Sequence, residues 1–352
     1  MNKPAKMLVA VQHDAPYSEA FKAEGWEVLL ADDAHRLYSL ARHNQPAGVL
    51  LDTHLPRGGA ETALSWLRAS VHTAAVPVIV LSDGDEDAQQ ALQLAGAQHC
   101  LPLNAKPADV CKVMKQCLGD PLAPAEAPPT AVGDAARLAA LKASGLLGTP
   151  SNEAYDKLTR LAARLLGAPI AALSLIDRNR QFHKSRVGIA DSDPREVPLS
   201  ESFCQWVVSG KESVVVEDSR LHPVLKHNPA VRHMGVTSYA GIPVSTIGGQ
   251  LLGAFCVVDV RPRQWTPAQL EVLTDLTRLA EVLVARAMLA QTATPSLADL
   301  KWYAAAGSEA ILGAVRILRR DDLTPPDRLA LLDEIDSGVR SLMNIRAAAR
   351  GA

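Results

Sequence analysis

Glu201-Ser202-Phe203-Cys204-Gln205-Trp206 stands at the centre of residues 134–290, the stretch whose reading decides the fold. A short polar pair followed by Phe, Cys and Trp predicts the start of a helix. Upstream, Arg137 to Leu147 reads as helical. A second helix, Asn152 to Gly167, carries Tyr155, Leu158, Leu161, Ala162 and Leu165 at helical spacing. Ile170 to Asp177 reads as a buried strand closed by a turn. Val214–Asp218, Tyr239–Val244 and Leu252–Asp259 read as further strands.

This stretch resembles a GAF domain of bacterial two-component proteins. The matching residues are Gly145-Leu146-Leu147, Gln181-Phe182-His183-Lys184-Ser185, Glu201-Ser202-Phe203-Cys204, His227-Asn228-Pro229, Tyr239-Ala240-Gly241-Ile242-Pro243 and Cys256-Val257-Val258-Asp259. The resemblance implies a central antiparallel sheet with helices on one side and a small-molecule pocket on the other. It does not name a ligand, because a fold carries many functions. The residues placed near that pocket are Phe203, Cys204, Tyr239 and Cys256. Cys204 and Cys256 also read simply as small buried residues. No motif places His183, His222, His227 or His233 as a haem or bilin ligand. Arg178, Arg180, Lys184 and Arg186 read as a solvated loop, with an anion site as the alternative.

The chain has 352 residues, enough for two or three domains, and 48% of them are apolar. Its net charge of -2 favours neither nucleic acid nor an anionic membrane as a partner. No run of 18 apolar residues occurs, and no signal-peptide core follows Met1, so a cytoplasmic protein without a membrane is expected. Five cysteines at 100, 111, 117, 204 and 256 lack metal-ligand spacing and are expected to be reduced thiols.

Residues 7–119 alternate short apolar runs with helical stretches, which predicts a doubly wound parallel sheet of five strands. The segment resembles a response-regulator receiver domain. That resemblance makes Asp52 the phosphoacceptor and Ser82 the hydroxyl residue that senses the phosphoryl group. The rest of the pocket departs from the pattern. Where a receiver holds Mg²⁺ with an acidic pair, this chain has Gln12-His13, with only Asp14 adjacent. Leu103 falls where the lysine belongs, and Lys106 comes three residues late. A degenerate receiver pocket of Gln12, His13, Asp14 and Leu103 is therefore expected, with Mg²⁺ as a cofactor only if the receiver is active. Residues 120–133 form a Pro/Ala-rich linker, expected to be extended and solvated. The GAF-like domain is expected over 134–291.

Residues 297–350 form two helices around the turn Asp321–Pro326. Their stripes run through Ile311, Leu312, Val315 and Leu318, and through Leu332, Ile335, Val339 and Leu342. The pair resembles the dimerisation hairpin of sensor histidine kinases, with Trp302 where the phospho-accepting histidine belongs. Two such helices cannot bury both stripes alone. A homodimer through this hairpin is expected, or pairing with a histidine kinase or other two-component protein.

The expected fold class is thus multidomain α/β and α+β. The expected function is a non-catalytic intracellular signalling protein, a pseudo-receiver plus GAF sensor acting as adaptor or regulator. Two rivals stand: a response regulator phosphorylated at Asp52, and a truncated relative of sensor histidine kinases. No catalytic residue, metal site or certain cofactor is assigned, and the GAF ligand is unidentified.

Overall fold

Strands that are apolar on both faces need cover on both faces, and the first third of the chain provides it. The structure is a computed structural model that describes residues 4–119, 126–291 and 297–350. The chain divides into two units, Met1–Pro128 and Pro129–Ala352.

In the first unit, strands β1 (Lys6–Ala10), β2 (Glu27–Leu30), β3 (Gly48–Asp52), β4 (Val78–Ser82) and β5 (His99–Pro102) alternate with five helices. These are α1 (Ala15–Ala23), α2 (Ala34–Asn44), α3 (Gly59–Ala69), α4 (Glu86–Leu94) and α5 (Pro107–Gly119). The strands pair in parallel in the order β2-β1-β3-β4-β5. One face buries Leu8, Val49, Leu51 and Val80 against Leu37, Leu64 and Leu67. The other buries Met7, Leu50, Ile79 and Leu81 against Phe21, Val110 and Met114.

The second unit begins inside the predicted linker. Residues 120–125 lie outside the described residues, but Pro129–Val132 form a helical turn (α6) and Val132 is buried. This corrects the expectation of an extended, solvated segment there. The physical cause is Arg137 of α7 (Ala135–Ala143), itself buried. Its guanidinium donates to the carbonyls of Val132 at 2.5 and 3.0 Å and of Ile176 at 2.7 Å. Burial pulls its pKa down.

Helix α8 (Glu153–Leu166) precedes a sheet of six strands: β6 (Ile170–Ile176), β7 (Arg180–Val187), β8 (Glu196–Pro198), β9 (Val214–Val216), β10 (Ser238–Ser245) and β11 (Leu251–Asp259). All pairings are antiparallel, in the order β8-β7-β6-β11-β10-β9. Short helices α9 (Cys204–Gly210) and α10 (Pro229–His233) lie in the connections around β9. Helix α11 (Pro267–Ala290) starts at a capping box between Thr266 and Gln269 and buries Leu273, Leu276, Ala280 and Val284.

Strand β7 was not predicted. Its Lys184, expected in a solvated loop, is buried: Nζ donates to Thr149 Oγ1 at 2.6 Å and Pro150 O at 2.7 Å and sits 5.7 Å from the Tyr155 ring centre. Arg186 spends its donors on the carbonyls of Pro194, Ala190 and Asp193.

Helices α12 (Leu297–Leu318) and α13 (Pro325–Arg350) belong to the second unit. Helix α12 packs on α11, burying Tyr303, Ala310, Ala314 and Ile317 in the same core as the sheet. The buried stripe is therefore offset from the predicted one, of which Leu318 and Ile335 still pack against this core. Leu312 is 54% exposed and Leu332 is 49% exposed, while Leu331 is fully buried. The two helices do not cover both stripes by themselves, and α11 supplies part of the cover. The side chains of Trp302 and Leu342 lie outside the described residues.

Candidate functional site: a thiol-lined cavity in the second unit

A cavity of about 320 Å³ opens beside β6, β7, β10 and β11 and the start of α9. Its walls are mostly apolar, among them Ile170, Ile189, Val197, Met234, Val236 and Val258. Phe203, Cys204, Tyr239 and Cys256 all line it.

Three structural features bring these four together. Strand β11 carries Cys256 opposite Ala172 on one side and Gly241 on the other. Gly241 lacks a side chain where one is excluded, since a Cβ there would overlap the Tyr239 hydroxyl. That space lets the phenol lie flat enough to donate to Cys204 Sγ at 3.2 Å. The α9 start then sets Cys204 Sγ 3.7 Å from Cys256 Sγ, and the Phe203 ring packs on Tyr239 at 5.4 Å.

Hydrogen bonds from the Cys256 thiol, Tyr239 and Ser174 favour the Cys204 thiolate and lower its pKa against the opposing effect of burial. Cys256, which keeps the shared proton, is shifted well up. Burial first, then the neighbouring sulfurs, hold the Tyr239 phenol protonated.

Sequence reasoning missed a polar chain behind these residues. Ser202 Oγ donates to Gln181 Oε1 at 2.6 Å, and Gln181 Nε2 donates to His183 Nε2 at 3.2 Å. His183 Nδ1 then carries the proton and lies 3.3 Å from Ser174 Oγ. His183 is buried, and burial pushes its pKa down to about 4, helped by Arg186 and Arg195. At neutral pH it is uncharged. The carboxylates in the wall are Asp193 and Glu201, and no lysine or arginine is among the described lining residues. The signal for β7 was weak because its inward residues are polar.

In the first unit a cleft of about 420 Å³ is lined by Gln12, Asp14, Asp32, Arg36 and Asp52, among others. Asp52, at the end of β3, is buried, and its carboxylate accepts from the backbone N–H of Gln12 at 2.8 Å and of His54 at 3.0 Å. Ser82 ends the neighbouring strand, and its Oγ accepts from Gly84 N at 3.0 Å. His13 and Leu103, predicted in this pocket, are not among the lining residues. Both are exposed, and the Tyr17 hydroxyl bonds Ala105 O, two residues after Leu103, at 3.0 Å. Lys106 likewise stands exposed, ahead of α5. Among the described residues no three carboxylate, imidazole or thiol groups converge closely enough to hold a metal ion.

Comparison with known proteins decides the second unit. Residues 151–284 match the GAF domain family. A cyclic di-GMP phosphodiesterase of Pseudomonas aeruginosa is 33% identical over 137 residues. The match covers 39% of this chain and 23% of that relative, so the chain spans about a quarter of the relative's length. The relative carries an enzyme's name, which removes the ground for expecting a protein without enzymatic activity; that expectation is withdrawn. Among solved structures, the receiver domain of a sensor histidine kinase from Pseudomonas aeruginosa is 19% identical, covering 34% of this chain and 100% of that chain, with a TM-score of 0.31. A chemotaxis response regulator of Vibrio cholerae is 18% identical, covering 32% and 98%, with a TM-score of 0.30. The doubly wound fold of the first unit rests on its own strand order rather than on these scores. The second unit therefore contains a GAF domain, and the first unit is a doubly wound parallel sheet. No helix among the described residues is long and apolar enough to cross a membrane.

Proposed function

We propose that the GAF cavity is the sensor site of this protein and takes a small, mostly apolar molecule that is uncharged or cationic. The observation that carries this is the charge of the wall. Asp193 and Glu201 line the cavity, His183 is neutral, and no cationic side chain lines it among the described residues. A phosphate or carboxylate entering this low-dielectric space would meet like charge without a counter-ion. A volume of about 320 Å³ lies within the usual range for small-ligand pockets. Affinity selection tests it: incubate the protein with a metabolite mixture, isolate it by gel filtration, and identify retained compounds by mass spectrometry. Retention should be lost in Ala172→Leu, which fills the cavity from β6. Retention that survives this change, or that consists of anionic compounds, overturns the reading.

The receiver-like unit, on this account, works as an interaction surface and not as a phosphoryl acceptor. Support comes from the two backbone amides on the Asp52 carboxylate and the absence of lysine from the cleft lining. The protein acts through a homodimer built on the α12–α13 face that its own core leaves bare, with Leu312, Leu329, Leu332 and Val339 exposed. Burying side chains of this kind is worth about 1.5–3 kcal/mol each, and a two-fold pair closes such a patch on itself. Leu332→Asp should convert a dimer to a monomer in sedimentation. A wild-type monomer that gains mass only with a histidine kinase would assign the face to that partner instead.

A further inference from the structure

We propose that Cys204 and Cys256 are a peroxide-reactive dithiol that closes reversibly into a disulfide across the wall of the cavity. Two thiols on separate elements, 52 residues apart in sequence, present their sulfurs at 3.7 Å. A disulfide needs about 2.05 Å, so closure asks for a small rotation of the two side chains. Neither cysteine belongs to a metal cluster, since no three ligating groups converge among the described residues. The other three cysteines have a different setting. Cys111 and Cys117 are buried in the apolar core of the first unit, and burial raises their pKa, as it does for Cys100.

Access and activation both exist at the pair. The cavity wall runs from the two sulfurs to Asp193 and Pro194, which are exposed, so a molecule the size of a hydroperoxide can enter. The Tyr239 hydroxyl donates to Cys204 at 3.2 Å and stabilises negative charge on that sulfur. Cys204 is thus the attacking thiol and Cys256 the resolving one.

The chemistry closes with a hydroperoxide as oxidant. The Cys204 thiolate attacks one peroxide oxygen. An S–O bond forms, the O–O bond breaks, and the departing hydroxide or alkoxide takes a proton, leaving Cys204 as a sulfenic acid. Cys256 then attacks the sulfenic sulfur. The S–S bond forms, the S–O bond breaks, and hydroxide leaves with the Cys256 proton as water. Two electrons pass from the sulfurs to the peroxide. A thiol reductant reverses the reaction by exchange. The new bond would pin the start of α9 to β11, at the rim of the sensor cavity, whatever else that cavity binds.

The test uses the full chain. Treat the reduced protein with millimolar hydrogen peroxide, alkylate the remaining thiols, digest without reductant and map the peptides by mass spectrometry. The expected product joins the Cys204 and Cys256 peptides with loss of two hydrogens, and dithiothreitol undoes it. In Cys256→Ala, dimedone should trap a sulfenic acid on Cys204, while Cys204→Ala should leave Cys256 unmodified under the same exposure. Failure of the wild type to form the 204–256 link while it stays folded overturns the proposal. So does oxidation of Cys204 no faster than that of Cys117 in the same sample.

Discussion

Arg316 of α12 grips Asp275 of α11 with both arms of its guanidinium, Nε to Oδ2 at 3.0 Å and the second amine to Oδ1. Asp275 is 2% exposed and also accepts from Arg278 at 3.2 Å. This is the polar clasp that seats the C-terminal hairpin on the GAF domain. Asp275→Ala and Arg316→Ala should both loosen the hairpin, because Arg278 lies on α11 beside Asp275 and cannot tie α12 down in either variant. Hydrogen exchange across 297–318 and the thermal midpoint read both effects, and unchanged exchange in either variant would contradict the clasp.

Gly313 lies directly beneath that clasp, where an added Cβ would come within 2.9 Å of the Asp275 carboxyl carbon. In an exposed helix, replacing Gly by Ala stabilises by about 1 kcal/mol. Here the sign should reverse. Gly313→Ala should lower the thermal midpoint and raise amide exchange in α12, and a higher midpoint would show that the two helices have room to spare.

His183 makes stability depend on pH. Its folded pKa is held at about 4 against an ordinary 6.5, so between those values the unfolded chain binds a proton that the folded chain refuses. Stability therefore falls as pH drops from about 6.5 towards 4, by ~3 kcal/mol in all at 1.36 kcal/mol per unit. Urea unfolding at pH 7 and pH 5 should show a smaller difference in His183→Gln than in wild type. An identical difference in both would mean the imidazole is not shielded.

Asp52 should take neither beryllofluoride nor a phosphoryl group from acetyl phosphate in the presence of Mg²⁺. Its oxygens accept two backbone amides, and no lysine lines the cleft. Intact mass and Trp fluorescence follow the reaction. A mass gain abolished by Asp52→Ala would make the first unit a working phosphoacceptor.

The parallel sheet was legible because its strands are short apolar runs, such as Gly48-Val49-Leu50-Leu51 and Val78-Ile79-Val80-Leu81, that need burial on both faces. Strand β7 was not, because Arg180-Gln181-Phe182-His183-Lys184-Ser185-Arg186 is polar. Its burial depends on partners far away in the chain: Thr149 for Lys184 and Asp156 for Ser185. The facing of the hairpin was hidden for the same reason, since Gly313 and Asp275 meet only in three dimensions. Phe203, Cys204, Tyr239 and Cys256 could be named from the GAF resemblance. That Gly241 makes the room in which Tyr239 reaches Cys204 could not.

The most direct measurement of the central claim compares thermal unfolding of wild type and Ala172→Leu against two panels of small compounds. One panel is uncharged or cationic and mostly apolar; the other carries phosphates, cyclic nucleotides included. A ligand at a hundred times its Kd stabilises by about 2.7 kcal/mol, a rise of several degrees in the midpoint. The account predicts such a rise from members of the first panel, in wild type alone. A rise from the phosphate panel, no rise from either, or an equal rise in Ala172→Leu would contradict it.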